Sequence, residues 1–119
     1  MEGGLKVVFV PCNIKHDIMT PLRKTLGEKF LVVDMVGDLY ILDYSAEEVI
    51  VDLKNRIKES INEVISSINI NDCDIYVLAN GGILHVALTT TELINKGIDF
   101  KYLVYENRIG KYVEISSEN

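Results

Sequence analysis

Two short segments hold most of the chemistry this chain offers. The first is Pro11-Cys12-Asn13-Ile14-Lys15-His16-Asp17, which gathers an amide, an ammonium and an imidazole just ahead of an expected helix. That set suits an anion. Lys15 and His16 supply charge and donors, and a helix N-terminus adds N–H groups. A polar surface loop is the alternative for this stretch. The second segment is Asn80-Gly81-Gly82, followed by Ile83, Leu84 and His85. Two glycines allow positive φ and let backbone N–H groups approach a ligand closely. His85 stands about one turn into the next helix, where its side chain can point back toward the strand ends. A plain strand-to-helix turn is the competing explanation, and the flanking Asn80 and His85 favour a site.

The common explanations for such segments fail. The sequence has neither Gly-x-x-x-x-Gly-Lys nor Gly-x-Gly-x-x-Gly, so the P-loop and dinucleotide fingerprints are absent. A cysteine phosphatase needs an arginine shortly after its cysteine, and position 18 is Ile18. A receiver domain needs an aspartate where this chain has Asn80. The histidines and acids show no metal-ligand spacing, so neither a metal nor a cofactor is expected. Cys12 reads as a small buried residue rather than a nucleophile.

The bulk properties bound the partners. A chain of 119 residues is one domain, spanning 1–119, and is long enough to bury a core. Its formal net charge of −6 argues against broad nucleic-acid binding, which needs many Lys and Arg contacts to phosphate. A local pocket for a small anion remains open. Cys12 and Cys73 fall at opposite ends of neighbouring parallel strands, roughly 20 Å apart and beyond disulfide reach. Both therefore read as free thiols in a reducing compartment. The start has no basic leader, and the apolar run over residues 7–11 is too short for a membrane span. A cytoplasmic protein without membrane contact is expected.

The elements that must position these segments follow from hydrophobic pattern. Residues 5–11 form a β-branched apolar run ended by Pro11, the pattern of a strand buried on both faces. Thr20 and Pro21 predict a helix start, with Thr20 as N-cap, and an end near residues 27–29. Residues 30–36 read as a second strand, and residues 37–44 as a short strand or an apolar loop. Ser45 with Glu48 forms a capping box for a long amphipathic helix over residues 45–68. Its apolar face is Ala46, Val49, Ile50, Leu53, Ile57, Ile61, Val64, Ile65 and Ile68. Residues 69–73 connect it to a third strand over 74–79. Residues 83–96 form a helix apolar nearly all round and so expected to be well buried, with Gly97 as C-cap. Residues 100–105 and 111–115 pair as a terminal hairpin through Asn107-Arg108-Ile109-Gly110, the second strand alternating apolar and polar residues.

The order β-α-β-α-β-α-β-β predicts an α/β fold, a Rossmann-like three-layer sandwich with a mostly parallel sheet and a C-terminal β-hairpin. In such a sheet ligands bind outside the carboxyl ends of the strands. That rule selects residues 11–20, 37–44, 80–85 and 105–108. The ligand-binding candidates are Pro11, Cys12, Asn13, Asn80, Gly81, Gly82, Ile83 and Asn107.

This architecture, with a polar loop after the first strand and a strand–Asn80-Gly81-Gly82–helix junction after the third, resembles the CRISPR-associated Rossmann-fold (CARF) domains. It looks most like the short stand-alone members. Larger members often carry Thr-Lys after the glycines, whereas Ile83-Leu84 stand here. The resemblance implies a role in antiviral defence, with a cyclic oligoadenylate, tetra-adenylate foremost, bound across the two-fold axis of a homodimer. Some members open the ring without metal, the substrate's own 2′-hydroxyl attacking the adjacent phosphate. Lys15, His16 and His85 are the catalytic candidates for that step. A histidine can also move a proton near neutral pH. A second possibility is a non-catalytic sponge that only binds the messenger. A third is a flavodoxin-like nucleotide-binding or protein-interaction module, with the long helix as a dimer interface.

Overall fold

A computed structural model describes residues 4–11, 17–35, 47–79 and 82–116. The strands are β1 (Lys6–Val10), β2 (Leu31–Asp34), β3 (Asp74–Leu78), β4 (Lys101–Glu106) and β5 (Lys111–Ser116). The helices are α1 (Met19–Leu26), α2 (Glu47–Ser67) and α3 (Ile83–Asn95), with a 3-10 turn at Ile70–Asp72. The described residues thus form an α/β fold with a five-stranded sheet in the order β2-β1-β3-β4-β5. All neighbours are parallel except the β4–β5 hairpin. The expected capping box at Ser45 and the segment 37–44 lie outside the described residues.

Period-two alternation in β1 and β3 sends side chains to both faces of the sheet. Val7, Phe9, Ile75 and Val77 pack with Leu53, Ile57 and Ile61 of α2 and Leu93 of α3. Val8, Val10, Tyr76 and Leu78 pack with Leu22 and Leu26 of α1, and with Leu103 and Tyr112. So α1 lies on one face and α2 and α3 lie on the other. The long apolar stripe of α2 behaves as its spacing predicts. Leu53, Ile57 and Ile61 are buried, each contributing about 1.5–3 kcal/mol. Glu47, Asp52, Lys54, Arg56, Lys58, Glu59 and Glu63 are exposed.

The start of α1 differs from expectation. The N-cap is Ile18, with no side-chain cap of its own. Thr20 and Pro21 sit inside the first turn. Asp17 takes over the capping role, its carboxylate accepting from the Met19 N–H at 2.9 Å. Pro21 is tolerated there because the first backbone N–H groups of a helix have no intrahelical partner to lose. At the other end Gly27 adopts φ 89°, and Lys6 Nζ donates to the Leu26 carbonyl at 2.7 Å.

The burial expected of α3 is also overturned. Its inner face is polar as well as apolar, burying His85, Thr89, Thr90, Glu92 and Leu93. Ile83 and Ile94 are instead 86% and 64% exposed. The reason is its place in the sheet. It crosses from β3 to the adjacent β4 over a single layer, and nothing described covers its outer side. The buried hydroxyls are satisfied locally: Thr89 donates to the His85 carbonyl and Thr90 to that of Val86.

In β5 only Tyr112 is buried, so the alternation expected there buries a single position. Val113 and Ile115 stay partly exposed. β5 is an edge strand, and its α1-side face is the one packed. Gly110, at φ 66°, closes the hairpin, its N–H donating to the Glu106 carbonyl at 2.9 Å. Among the described residues no helix is long and apolar enough to cross a membrane.

Candidate functional site at the carboxyl ends of β1 and β3

β1 and β3 are the central pair of the sheet, with Phe9 opposite Val77. The chain leaves β1 toward α1 on one face. It leaves β3 toward α3 on the opposite face. Such a divergence between neighbouring parallel strands is where ligands gather in open α/β sheets. The β1–β3 pairing ends at Phe9–Val77, and Pro11 and Ala79 each follow two residues later on their strands. Pro11 is buried, and the Ala79 N–H is tied to the Leu103 carbonyl at 2.9 Å. Cys12, Asn13, Lys15, His16, Asn80 and Gly81 lie outside the described residues. The strands they follow end side by side.

Gly82, Ile83 and His85 come next on this edge. Gly82 has φ −68° and ψ 127°, which any residue adopts. Its need for glycine therefore does not come from positive φ, contrary to expectation. It comes from a neighbour: a Cβ at Gly82 would stand 2.8 Å from His85 Nδ1. The ring of His85 folds back over the first turn of α3, the direction that helical side chains take. It is 5% exposed. Burial holds its pKa below the ordinary 6.5, because the charged imidazolium loses water there. That shift favours the neutral imidazole at neutral pH. Ile83 projects into solvent beside it.

Met35 ties this turn to the rest of the sheet. Its N–H donates to the Val10 carbonyl at 3.2 Å, continuing the β1–β2 ladder by one step. Its carbonyl accepts from Ser60 of α2 at 3.2 Å. Its sulfur accepts from Thr89 at 3.6 Å. The ends of β1 and β2 and the first turns of α3 are therefore held in one frame with α2.

A groove of about 700 Å³ opens at the same end of the sheet, on the α1 side. Asp17, Thr20 and Lys24 line one wall, and Tyr105, Asn107 and Tyr112 the other. Asn107, a sequence candidate, sits in the exposed hairpin turn. Asp17 is held below the usual carboxylate range, first by the Thr20 hydroxyl and then by the Met19 N–H. Tyr105 and Tyr112 meet edge to face, with ring centroids 5.4 Å apart and planes at 68°. Thr20 and Tyr105 fall within the segments 11–20 and 105–108 that the strand-end rule selects, though neither is singled out there, and Lys24 lies outside them. Two signals were present: Thr20 and Lys24 are four apart on one helix, and Tyr105 falls two after Leu103 on one strand face.

A second cavity, of about 270 Å³, lies at the opposite end, between the amino ends of β3 and β4. There burial, aided by Glu114 and Asp74, pushes the Tyr76 phenol up to about 12. Cys73 is a free thiol, donating to the Asn69 carbonyl at 3.3 Å. Burial first, then Asp72 and Asp74, raises its pKa, which leaves it a poor nucleophile. Among the described residues no group of three or more His, Cys, Asp or Glu is placed to hold a metal ion. No protein-family model, curated protein or solved structure matches this chain.

Proposed function

We propose that the chain is a Rossmann-like three-layer domain of the CARF type, acting as a cytoplasmic homodimer in antiviral defence. It binds a cyclic oligoadenylate, tetra-adenylate foremost, at the two-fold axis and opens the ring without metal. One observation carries this reading. β1 and β3 are parallel neighbours paired as far as Phe9–Val77, and they lead out through Pro11 and Ala79 to helices on opposite faces of the sheet. Asn80 follows Ala79 directly in sequence, and Lys15 and His16 lie in the loop after Pro11.

A ring of phosphates is a compact anion. It needs a few convergent N–H groups and one or two cations, which an acidic chain can supply locally. A two-fold axis doubles each Lys15 and each His16. In the ring opening, the substrate 2′-oxygen forms a bond to phosphorus while the bond to the 5′-oxygen breaks. The proton leaves the 2′-hydroxyl for a base, and another reaches the departing 5′-oxygen. His16 is the candidate for moving protons, and Lys15 for the charge that builds on the phosphoryl oxygens. The exposed Ile83 at the rim of the site suits cover by a second subunit or by a base of the ligand.

The sponge reading draws on His85. Its burial and lowered pKa favour the neutral imidazole, which leaves it no standing charge for the phosphates. Incubation with cyclic tetra-adenylate, with products followed by chromatography, decides. More than one turnover to linear di-adenylate supports the enzyme. Tight binding with intact ligand supports the sponge. No binding of any ring size sinks both.

A further inference from the structure

The groove between α1 and the β4–β5 hairpin is lined by described residues of a single chain. We propose that it binds a purine nucleoside monophosphate, with the base on Tyr105, its polar edge at Asn107 and the phosphate toward Lys24.

A space of about 700 Å³ falls within the range of small-molecule sites. Its aromatic wall is fixed before any ligand arrives. Tyr112 is 1% exposed beneath α1, and Thr25 donates to its carbonyl at 2.6 Å. Tyr105 is the direct cross-strand partner of Tyr112 and leans on it edge to face. Tyr105 is nevertheless 36% exposed. A held aromatic ring with open surface toward a groove is a stacking platform for a planar base.

The polar groups narrow the ligand. Asn107 offers a carbonyl and an amide side by side, the pattern that pairs with the adjacent acceptor and donor of adenine. Asp17 is committed to the Met19 N–H and to Thr20. Lys24 makes no ion pair among the described residues. One such cation suits one phosphate, and the neighbouring Asp17 disfavours a longer polyanion. The hairpin places this wall beyond the sheet: Tyr105 stands two residues past the Leu78–Leu103 pair, about 7 Å further along the strand.

The test uses the full chain and adenosine 5′-monophosphate, followed by NMR. The expected result is saturable shifts at Tyr105 and Asn107. Tyr105→Leu and Asn107→Ala each weaken binding about tenfold, and Tyr105→Phe retains it. Lys24→Gln removes the preference for the monophosphate over adenosine. Asn107 is exposed in a turn, so its variant keeps the test valid should Tyr105→Leu fail to fold. Ribose 5-phosphate binding as well as the nucleotide, or shifts confined to residues outside the groove, overturns the proposal, as does no binding. The cyclic-oligoadenylate reading stands or falls on a separate probe, so the two failures are distinguishable.

Discussion

His85 Nδ1 occupies the space in which a side chain at Gly82 would begin, 2.8 Å from the position of its Cβ. The backbone at Gly82 is ordinary, so the constraint is contact and not conformation. Gly82→Ala gains about 0.4–1 kcal/mol by restricting the unfolded chain. It loses about 1–3 kcal/mol by crowding a ring that has little room to move. The expected net effect is destabilisation of about 1–2 kcal/mol in urea unfolding. In a His85→Ala background the same substitution becomes neutral or stabilising. Equal destabilisation in both backgrounds would rule out the contact.

The same ring predicts a pH dependence. Burial lowers the folded-state pKa of His85 below 6.5. As pH falls through 6.5, the unfolded chain takes up a proton that the folded chain refuses. Stability is therefore full above that value, declines below it, and levels off once pH passes the folded pKa. Thermal melts across this window should fall more for the wild type than for His85→Gln. The imidazole resonances of His85 should titrate below those of an exposed histidine. A normal titration would remove the neutral-imidazole reading of the site.

Much of this frame is legible in sequence, and the failures share a cause. β1, β3 and α2 are readable because each carries a full period of apolar residues against a covered surface. The start of α1 is misread because Thr20-Pro21 matches a strong local signal, while Asp17 caps the helix from outside it. α3 is misread because composition does not reveal which face is covered. Its apolar Ile83 and Ile94 point outward while His85 and Glu92 turn in. The site end of the sheet follows from strand order alone, since the divergence of β1 and β3 needs only parallel pairing and crossover hand. The groove is not legible, because its walls lie more than eighty residues apart in sequence, as the Thr25–Tyr112 hydrogen bond shows with a separation of 87.

The Lys6–Leu26 contact joins β1 to the end of α1. The ammonium donates to a terminal helix carbonyl at 2.7 Å, where a positive charge also interacts favourably with the negative end of the helix dipole. Lys6→Met keeps the stem but loses both effects. It should cost about 1–2 kcal/mol in urea unfolding, with Lys6→Arg recovering part of it. An unchanged midpoint for Lys6→Met would show that water replaces the bond without loss.

The proposed ring opening makes its own demand on Lys15 and His16. A residue that only holds phosphate in the ground state raises the dissociation constant of the ring and leaves turnover under saturation nearly unchanged. A residue that acts only as the bond to the 5′-oxygen breaks lowers turnover and leaves affinity nearly intact. Lys15→Ala is expected to do both, since its charge meets the phosphate before and during reaction. His16→Ala is expected to lower turnover about 10²–10⁴-fold with little change in affinity, the range of a lost proton-transfer group. Single-turnover chromatography with cyclic tetra-adenylate, beside equilibrium binding of the same ligand, separates the two. Wild-type turnover from His16→Ala would exclude that histidine from the chemistry.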